Sequence, residues 1–175
     1  MIDSGDVKEF IQSLIIAGVL AFFIITFVAQ SFVVDGQSMA PTLENGERLF
    51  VNKFIYRFRE PERNDIIVFR PKGQGNIRYI KRFIALPGET IFIKDGVTYI
   101  DGEPLQENFI KEEMLRNFAA QTVPADSLFV MGDNRNNSSD SRILSYVGFV
   151  DYASIAGKAF WVYWPLNHMR LIEHK

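Results

Sequence analysis

The chain has 175 residues, 47% of them hydrophobic, a size that suits one domain with an appendage. It contains no cysteine, which excludes disulfide bonds, thiol catalysis and thiolate-bound metals. The net charge of −2 comes from the first 34 residues, because residues 35–175 carry 18 acidic and 18 basic side chains. That balance gives no electrostatic argument for nucleic-acid binding.

The first predicted element is an apolar helix over residues 10–34. These 25 positions hold no charged residue, and a helix of that length, at about 1.5 Å per residue, exceeds the ~30 Å hydrocarbon core. A buried soluble helix would need a larger host domain. A cleaved signal peptide is another alternative, since Ala29-Gln30-Ser31 has the small-x-small form, but the preceding residues 1–9 are acidic rather than basic. We predict a short tail (1–9), a transmembrane anchor (10–34) and one domain (35–175).

A serine, Ser38, lies four residues after this apolar run. Gly36 and Pro41 favour a turn around it, and such a turn presents the serine side chain and its own N–H to a substrate. A polar linker leaving the membrane accounts for the same residues. This segment alone leaves both interpretations open.

The rest of the chain is predicted to be mainly β-strands. Short β-branched or aromatic runs alternate with turn residues, and Asp95-Gly96 is a two-residue hairpin signal because both residues tolerate positive φ. One soluble helix is predicted over Gln106–Phe118, where apolar residues recur at helical spacing. The pattern indicates a barrel or folded sheet, with strands at Arg48–Ile55, Ile66–Phe69, Ile77–Ala85, Ile91–Lys94, Val97–Ile100, Ser127–Met131 and Ala159–Trp164.

Within the predicted strand Ile77–Ala85, Lys81 shares its face with apolar residues. Burial disfavours the ammonium form and lowers the pKa of a lysine, and a neutral lysine can act as a general base. A lysine that extends to solvent at the sheet edge is the alternative. Alternation does not decide between them, because Lys53 and Lys158 share faces with apolar residues in the same way.

A polar loop follows the strand Ser127–Met131. From Gly132 to Arg142, eleven residues include no apolar side chain, and Asp140 and Arg142 can form an ion pair. Asparagine, serine and aspartate hydrogen-bond local backbone and can hold such a loop rigid. A calcium loop does not fit, since Arg135 takes a ligand position. An ordinary solvated loop and an active-site loop both remain open.

Histidine and metal chemistry have little support. The two histidines, His168 and His174, lie in the last eight residues, so a Ser–His–Asp triad would depend on a terminal tail. There is no HExxH or other metal-ligand cluster and no phosphate-binding glycine loop. We therefore expect no metal and no cofactor, and the base of any hydrolysis must be another residue type.

Taken together and in this order after an apolar run, four segments resemble bacterial type I signal peptidases, also called leader peptidases, which use a serine–lysine dyad. The matching segments are Ser38–Leu43, Asn64–Phe69, Arg78–Arg82 running on to Pro87-Gly88-Glu89, and Gly132–Arg142. The resemblance favours the functional interpretation of each segment and selects Lys81 over the other two lysines.

The resemblance implies a role for each matching residue. Ser38 is expected to be the nucleophile, with its N–H as an oxyanion donor, and Lys81 the general base. Some members have a serine two residues before the nucleophile; Gly36 stands there, so no side chain is assigned as second oxyanion donor. Site support is expected from the loop: a serine that hydrogen-bonds the lysine (Ser138), a structural ion pair (Asp140 with Arg142), and a further supporting position (Asp133).

The implied function is a membrane-bound endopeptidase that removes signal peptides from exported preproteins, preferring small residues one and three positions before the cut. The implied partners are preprotein signal peptides and the lipid bilayer, with no nucleic acid and no metal; no oligomer is implied. The family has its catalytic domain outside the cytoplasm on a single-pass anchor, whereas the charges flanking residues 10–34 favour the opposite orientation. The alternatives are a specialised maturation peptidase or self-cleaving repressor with the same dyad, and a non-catalytic membrane-tethered peptide-binding module.

Overall fold

The structure, a computed structural model, describes residues 4–23 and 29–174. Helix α1 (Ser4–Phe23) precedes β-strands that form two antiparallel sheets. The strands within the described residues are β1 (Ala29–Val33), β2 (Arg48–Asn52), β3 (Ile66–Phe69), β4 (Tyr79–Ala85), β5 (Thr90–Lys94), β6 (Val97–Ile100), β7 (Glu103–Pro104), β8 (Phe118–Thr122), β9 (Ser127–Met131), β10 (Val150–Asp151), β11 (Ile155–Trp164) and β12 (Arg170–Leu171). The predicted mainly β fold is confirmed.

The larger sheet has the order β1-β2-β11-β3-β4-β9-β10, with β12 paired to β11. Strands β3 and β9 are buried at every residue, as expected for continuous apolar runs in strands that are covered on both faces. Between them lies β4, in which Lys81 is opposite Ile67. The backbone of Lys81 is therefore fixed by a neighbouring strand on each side.

The smaller sheet has the order β7-β6-β5-β8. Strands β5 and β6 form the predicted hairpin, in which Lys94 pairs with Val97. Asp95 and Gly96 turn the chain with φ of 50° and 81°, which is the conformation that this pair of residues was expected to adopt.

The core places the segment between β1 and β2 against the larger sheet. Met39 and Leu43, from that segment, are buried with Leu49 and Val162 in one apolar cluster. Two further clusters lie beneath the smaller sheet and around β9. The residue that follows Ser38 is therefore a core residue, and it anchors the serine to the sheet.

The predicted helix over residues 10–34 is corrected by the structure. Helix α1 ends at Phe23, residues 24–28 lie outside the described residues, and Ala29–Val33 is strand β1, which pairs with β2 from Ala29 opposite Asn52 to Val33 opposite Arg48. Pairing with β2 satisfies the backbone N–H and C=O groups of Ala29–Val33 within the sheet. Among the described residues, no helix is both long and apolar enough to cross a membrane.

The predicted helix over Gln106–Phe118 is wrong. Residues 106–117 are turns and irregular chain, and β8 begins at Phe118. This segment instead uses its polar groups over long range: the Glu107 carboxylate binds Arg135 at 2.6 and 2.8 Å, and Asn136 accepts from the backbone N–H of Leu115. Leu115 is 85% exposed, so the apolar periodicity does not correspond to one buried face. The predicted strand Arg48–Ile55 is also too long, because β2 ends at Asn52.

Candidate active site

The candidate nucleophile lies on a short compact segment between β1 and β2. The N–H of Ala40 donates to the Gln37 carbonyl at 3.1 Å, and the N–H of Leu43 donates to the Met39 carbonyl at 2.9 Å. These two turns, with Met39 and Leu43 buried beneath them, hold Ser38 half-buried at the surface. The turn predicted from Gly36 and Pro41 is present.

Lys81 meets this serine from strand β4. Its Nζ donates to Ser38 Oγ at 2.7 Å and to its neighbour's carbonyl, Ile80 O, at 3.0 Å. Only 5% of Lys81 is exposed. The two other lysines are placed differently: Lys53 is exposed, and the Lys158 ammonium pairs with the buried carboxylate of Asp65.

Burial lowers the pKa of Lys81 to about 8. The carboxylates of Asp140 and Asp133 act in the opposite direction, because negative charge favours the ammonium, and the guanidinium of Arg142 assists the lowering. Desolvation is the largest cause. At mildly alkaline pH a substantial fraction of the lysine is therefore neutral, with its lone pair beside a serine hydroxyl.

The polar loop packs directly against the serine. The N–H of Asn134 donates to the Ser38 carbonyl at 3.1 Å, and its side chain donates to the Gln37 carbonyl, also at 3.1 Å. Gly132 lies so close that a Cβ added to it would be 2.3 Å from the Ser38 carbonyl oxygen. The approach of the loop to the serine backbone therefore requires glycine at position 132.

Besides the pair of Arg135 with Glu107, two further ion pairs hold the loop. Asp133, fully buried, accepts from Arg82 at 2.8 and 2.7 Å and from the Thr42 hydroxyl. Asp140 accepts from Arg142 at 2.8 Å through each of its oxygens, and from the Gly132 N–H at 3.0 Å. Bidentate pairs of this kind fix orientation as well as charge.

The charge state of Asp140 follows from its partners. Burial by itself raises the pKa of this carboxyl, but the hydrogen bonds and charge of Arg142, with the Gly132 N–H and the Ser138 hydroxyl, outweigh that effect and hold the pKa below its ordinary value. The carboxylate is thus ionised at neutral pH, and the predicted pair of Asp140 with Arg142 is present.

Ser138 lies beside the serine–lysine pair but does not make the predicted hydrogen bond to Lys81. Its buried hydroxyl makes no well-aligned hydrogen bond among the described residues, but it lies beside the Asp140 carboxylate and helps to lower the pKa of that group. Lys81 donates instead to Ser38 and Ile80. A Cβ on Gly132 would be 2.3 Å from Ser138 Oγ, so the hydroxyl borders the Ser38 backbone. An interaction of Ser138 with the lysine stays a prediction.

A cleft of about 580 Å³ opens over the pair. Its walls are the end of strand β1 with the residues up to Met39, residues 77–81, which lead into β4, and the loop from Asn136 to Ser139. Two of these three walls include strand residues, which suits an extended peptide. The cleft leads to the Ser38 hydroxyl.

Sequence reasoning missed three supporting side chains: Thr42, Arg82 and Phe109. Thr42 and Arg82 stand in the segments that carry the family resemblance, but nothing local shows that both reach Asp133. The Arg82 guanidinium also stacks on the Phe109 ring, 3.9 Å from its centre. That contact comes from the segment predicted as a helix, so helical periodicity concealed it.

Neither histidine lies at this site. His168 contacts Glu47, and His174 accepts from the Ile66 N–H. Burial, followed by the positive charge of Lys158, lowers the pKa of His174 to about 4. Across the part of the chain that the structure describes, no group of three histidine or carboxylate side chains is placed to hold a metal.

Comparisons with known proteins identify the family of this chain. Residues 7–164 match the family model described as signal peptidase, peptidase S26. "Probable signal peptidase I-1" of Synechocystis is 43% identical over 92% of this chain and 84% of its own length, and "Signal peptidase I" of Leptolyngbya laminosa is 44% identical over 92% and 81%. The crystal structure of a signal peptidase I from Enterococcus faecalis V583, 37% identical, covers 57% of this chain and 97% of that chain with a TM-score of 0.50.

Proposed function

The chain belongs to the family of signal peptidases (peptidase S26), enzymes that remove signal peptides, and we propose that it does so with Ser38 as nucleophile and Lys81 as general base. The observation that carries the proposal is the 2.7 Å contact between Lys81 Nζ and Ser38 Oγ. A buried amine with a lowered pKa in hydrogen-bond reach of a hydroxyl is the arrangement that activates a serine without a histidine.

The proposed reaction starts with neutral Lys81. As Ser38 Oγ attacks the scissile carbonyl, the serine proton passes to Nζ, and the carbonyl oxygen becomes an oxyanion. The Ser38 N–H supports it, since that group has no acceptor among the described residues; one such donor typically contributes ~3–4 kcal/mol. The lysine proton then leaves with the new amine, and the signal peptide stays esterified to Ser38. A water then gives a proton to Lys81 as its oxygen attacks the ester carbonyl. The bond from that carbon to Ser38 Oγ breaks, Ser38 Oγ takes the proton back from Lys81, and the signal peptide leaves as a carboxylic acid that ionises in solution.

The loop residues serve the dyad through position and charge. Asp140 and Asp133 limit how far burial lowers the pKa of Lys81, because both favour the ammonium. Asn134 and Gly132 hold the Ser38 backbone. We propose that Ser138 orients Lys81 once substrate occupies the cleft. The substrate preference for small residues at positions −1 and −3 follows from the family and is part of the proposal.

The proposal includes work at a lipid bilayer. The described side chains of α1 are largely exposed and apolar, including Phe10 at 69% and Phe22 at 68%. Further large apolar side chains are exposed at the end of β11 and after it, namely Trp164, Leu166 and Leu171. Apolar surface of this extent on α1 and around the end of β11 suits lipid contact. The catalytic domain is proposed to lie on the extracytoplasmic side of the cell membrane.

The central test is cleavage of a preprotein with an Ala-x-Ala site in detergent or liposomes. Ser38→Ala and Lys81→Met should each abolish cleavage after the second alanine while the protein stays folded. Lys53→Met is the matched control, because that lysine is exposed and outside the cleft, and it should cut normally. Full activity of either dyad variant would refute the assignment. An inactive wild type on several preproteins would favour the peptide-binding alternative.

Membrane association and orientation are tested separately. The full chain should float with phospholipid vesicles, and replacing Leu14 and Leu20 by lysine should weaken flotation without changing cleavage of a soluble peptide. Protease added to intact cells should degrade the catalytic domain. Protection of the domain until the cells are opened would refute the extracytoplasmic placement.

A further inference from the structure

The strand β12 reaches residues 38–43, which we call the nucleophile segment, through one side chain, Arg170. Its Nη2 donates to the main-chain carbonyl of Thr42 at 2.7 Å. The same guanidinium binds the two carboxylate oxygens of Glu47 at 2.7 and 2.9 Å. Arg170 and Thr42 lie 128 positions apart in the sequence, so tertiary structure alone creates this link.

Glu47 fixes the direction of the guanidinium. It is 2% exposed, and its carboxylate also accepts from the Glu44 N–H at 3.0 Å and contacts His168 Nδ1 at 3.1 Å. Burial by itself raises the pKa of Glu47, but Arg170 with the other donors brings it below its ordinary value. An ionised, bidentate partner holds the planar guanidinium in one orientation, which leaves a donor aimed at Thr42.

Thr42 transmits this restraint to the serine. Its hydroxyl donates to Asp133, and the next residue, Leu43, donates its N–H to the Met39 carbonyl at 2.9 Å. At the other end of the segment, the Asn134 N–H holds the Ser38 carbonyl. The nucleophile segment is thus fixed at its start by the polar loop and at its end by Arg170.

We infer that Arg170, oriented by Glu47, is a positioning residue that holds the nucleophile segment so that Ser38 stays within reach of Lys81; this rests on the proposed function. Arg170 does not line the cleft, so it has no part in substrate binding. Loss of the guanidinium frees the Thr42 carbonyl and widens the range of Ser38 positions. A misplacement of about 1 Å at a reacting group costs on the order of 100-fold in rate, so the effect falls on kcat.

The experiment compares Arg170→Ala, Arg170→Lys and Glu47→Gln in the full chain, with a peptide substrate and kcat expressed per folded molecule. Arg170→Ala should lower kcat by roughly 10- to 100-fold with KM unchanged. Arg170→Lys should restore part of the lost kcat, because lysine supplies a hydrogen-bond donor but not the two parallel N–H groups of the guanidinium. Glu47→Gln should fall between wild type and Arg170→Ala, and the double variant Glu47→Ala, Arg170→Ala should be no worse than Arg170→Ala, since both residues act through one contact.

The matched control is Arg63→Ala. Arg63 pairs with Glu89 at 2.6 Å, with side chains 25% and 18% exposed against 37% and 2% in the Arg170 pair. It hydrogen-bonds neither the nucleophile segment nor the polar loop. This variant should keep the wild-type kcat per folded molecule. The alkaline rise in activity set by Lys81 should stay at the same pH in Arg170→Ala, since the two side chains do not touch.

Two results would overturn the inference. One is a wild-type kcat per folded molecule in Arg170→Ala; the other is an equal loss in Arg63→Ala, which would mark a general effect of lost stability. Ser38→Ala in the same assay separates the two proposals. If Ser38→Ala is inactive and Arg170→Ala is normal, only the positioning role fails. If Ser38→Ala still cuts, the proposed function fails and the positioning role fails with it.

Discussion

Replacing Gly132 by alanine should disable the enzyme while leaving the fold in place. A Cβ at this position would be 2.3 Å from both the Ser38 carbonyl oxygen and Ser138 Oγ, whereas real Cβ contacts essentially never fall below 3.0 Å. The serine backbone must therefore retreat by about 0.7 Å or more. The contact with Ser38 is to backbone, so a side-chain rotation cannot relieve it.

The magnitude follows from that displacement. A shift approaching 1 Å at the nucleophile corresponds to a loss on the order of 100-fold in kcat, equivalent to about 2.7 kcal/mol in activation free energy. Overpacking a buried site also costs about 1–3 kcal/mol in unfolding free energy. Gly132→Ala should therefore be strongly impaired in cleavage. It should still fold, because the loss of unfolding free energy is smaller than the total stability typical of a domain.

The assay is steady-state cleavage of an Ala-x-Ala preprotein, with thermal unfolding measured on the same samples. Gly18→Ala is the control, because a Cβ there meets nothing within 4 Å and its φ is not positive; it should match the wild type. If Gly132→Ala has the wild-type kcat, the close approach of the loop to Ser38 is wrong. Gly132→Ser should be worse still.

Three further predictions concern the charges and hydroxyl around the dyad. Activity should rise with pH through about 8 as Lys81 loses its proton. The folded-state pKa of Lys81 lies below its unfolded value, so the unfolded chain binds more protons between about pH 8 and 10.5. The unfolding free energy should therefore also rise across that window. Arg82→Met leaves the Asp133 carboxylate buried without its partner and should lower unfolding free energy by about 3–5 kcal/mol in a denaturant titration. Ser138→Ala removes a hydroxyl that lies beside the Asp140 carboxylate without a well-aligned hydrogen bond, so unfolding free energy should fall by no more than about 1.5 kcal/mol, and a fall in kcat per folded molecule would reveal its role with Lys81.

Each of these has its own control. Lys81→Met should abolish the alkaline increase in stability, and its persistence would assign the titration to another group. Glu62→Ala breaks an ion pair with Arg59 from its exposed end and should change unfolding free energy by less than about 1 kcal/mol. For Ser138→Ala, a much larger loss of stability would show that the hydroxyl mainly supports the fold.

Local features of the fold were predictable because they depend on local chemistry. Asp95-Gly96 turns the chain between two β-branched runs, and positive φ is a property of those two residues. Ile66–Phe69 forms β3 with the predicted bounds. Where helical periodicity was used over Gln106–Phe118, it failed, because Glu107 and Leu115 bind partners from the polar loop. Such contacts outweigh a modest local helix preference.

The candidate site, like the fold, has parts that the sequence predicts and parts that it does not. The amino-acid sequence by itself, through its resemblance to signal peptidases, predicted Ser38, Lys81 and the loop that carries Asp133 and Asp140, since each occurs within a short recognisable segment. Periodicity alone did not separate Lys81 from other lysines with apolar neighbours. Burial between β3 and β9 did, because desolvation, which depends on the surrounding strands, is what lowers its pKa.

Only the tertiary structure decided which side chains support the pair. Thr42 meets Asp133 across 91 positions, and Arg170 meets Glu47 across 123. No local pattern encodes such a contact, because it exists only when strand register brings distant segments together. Sequence determined which residues can do the chemistry; the packing of β1, β4, β12 and the polar loop determined where they stand, since the position of a side chain is set by everything packed against it.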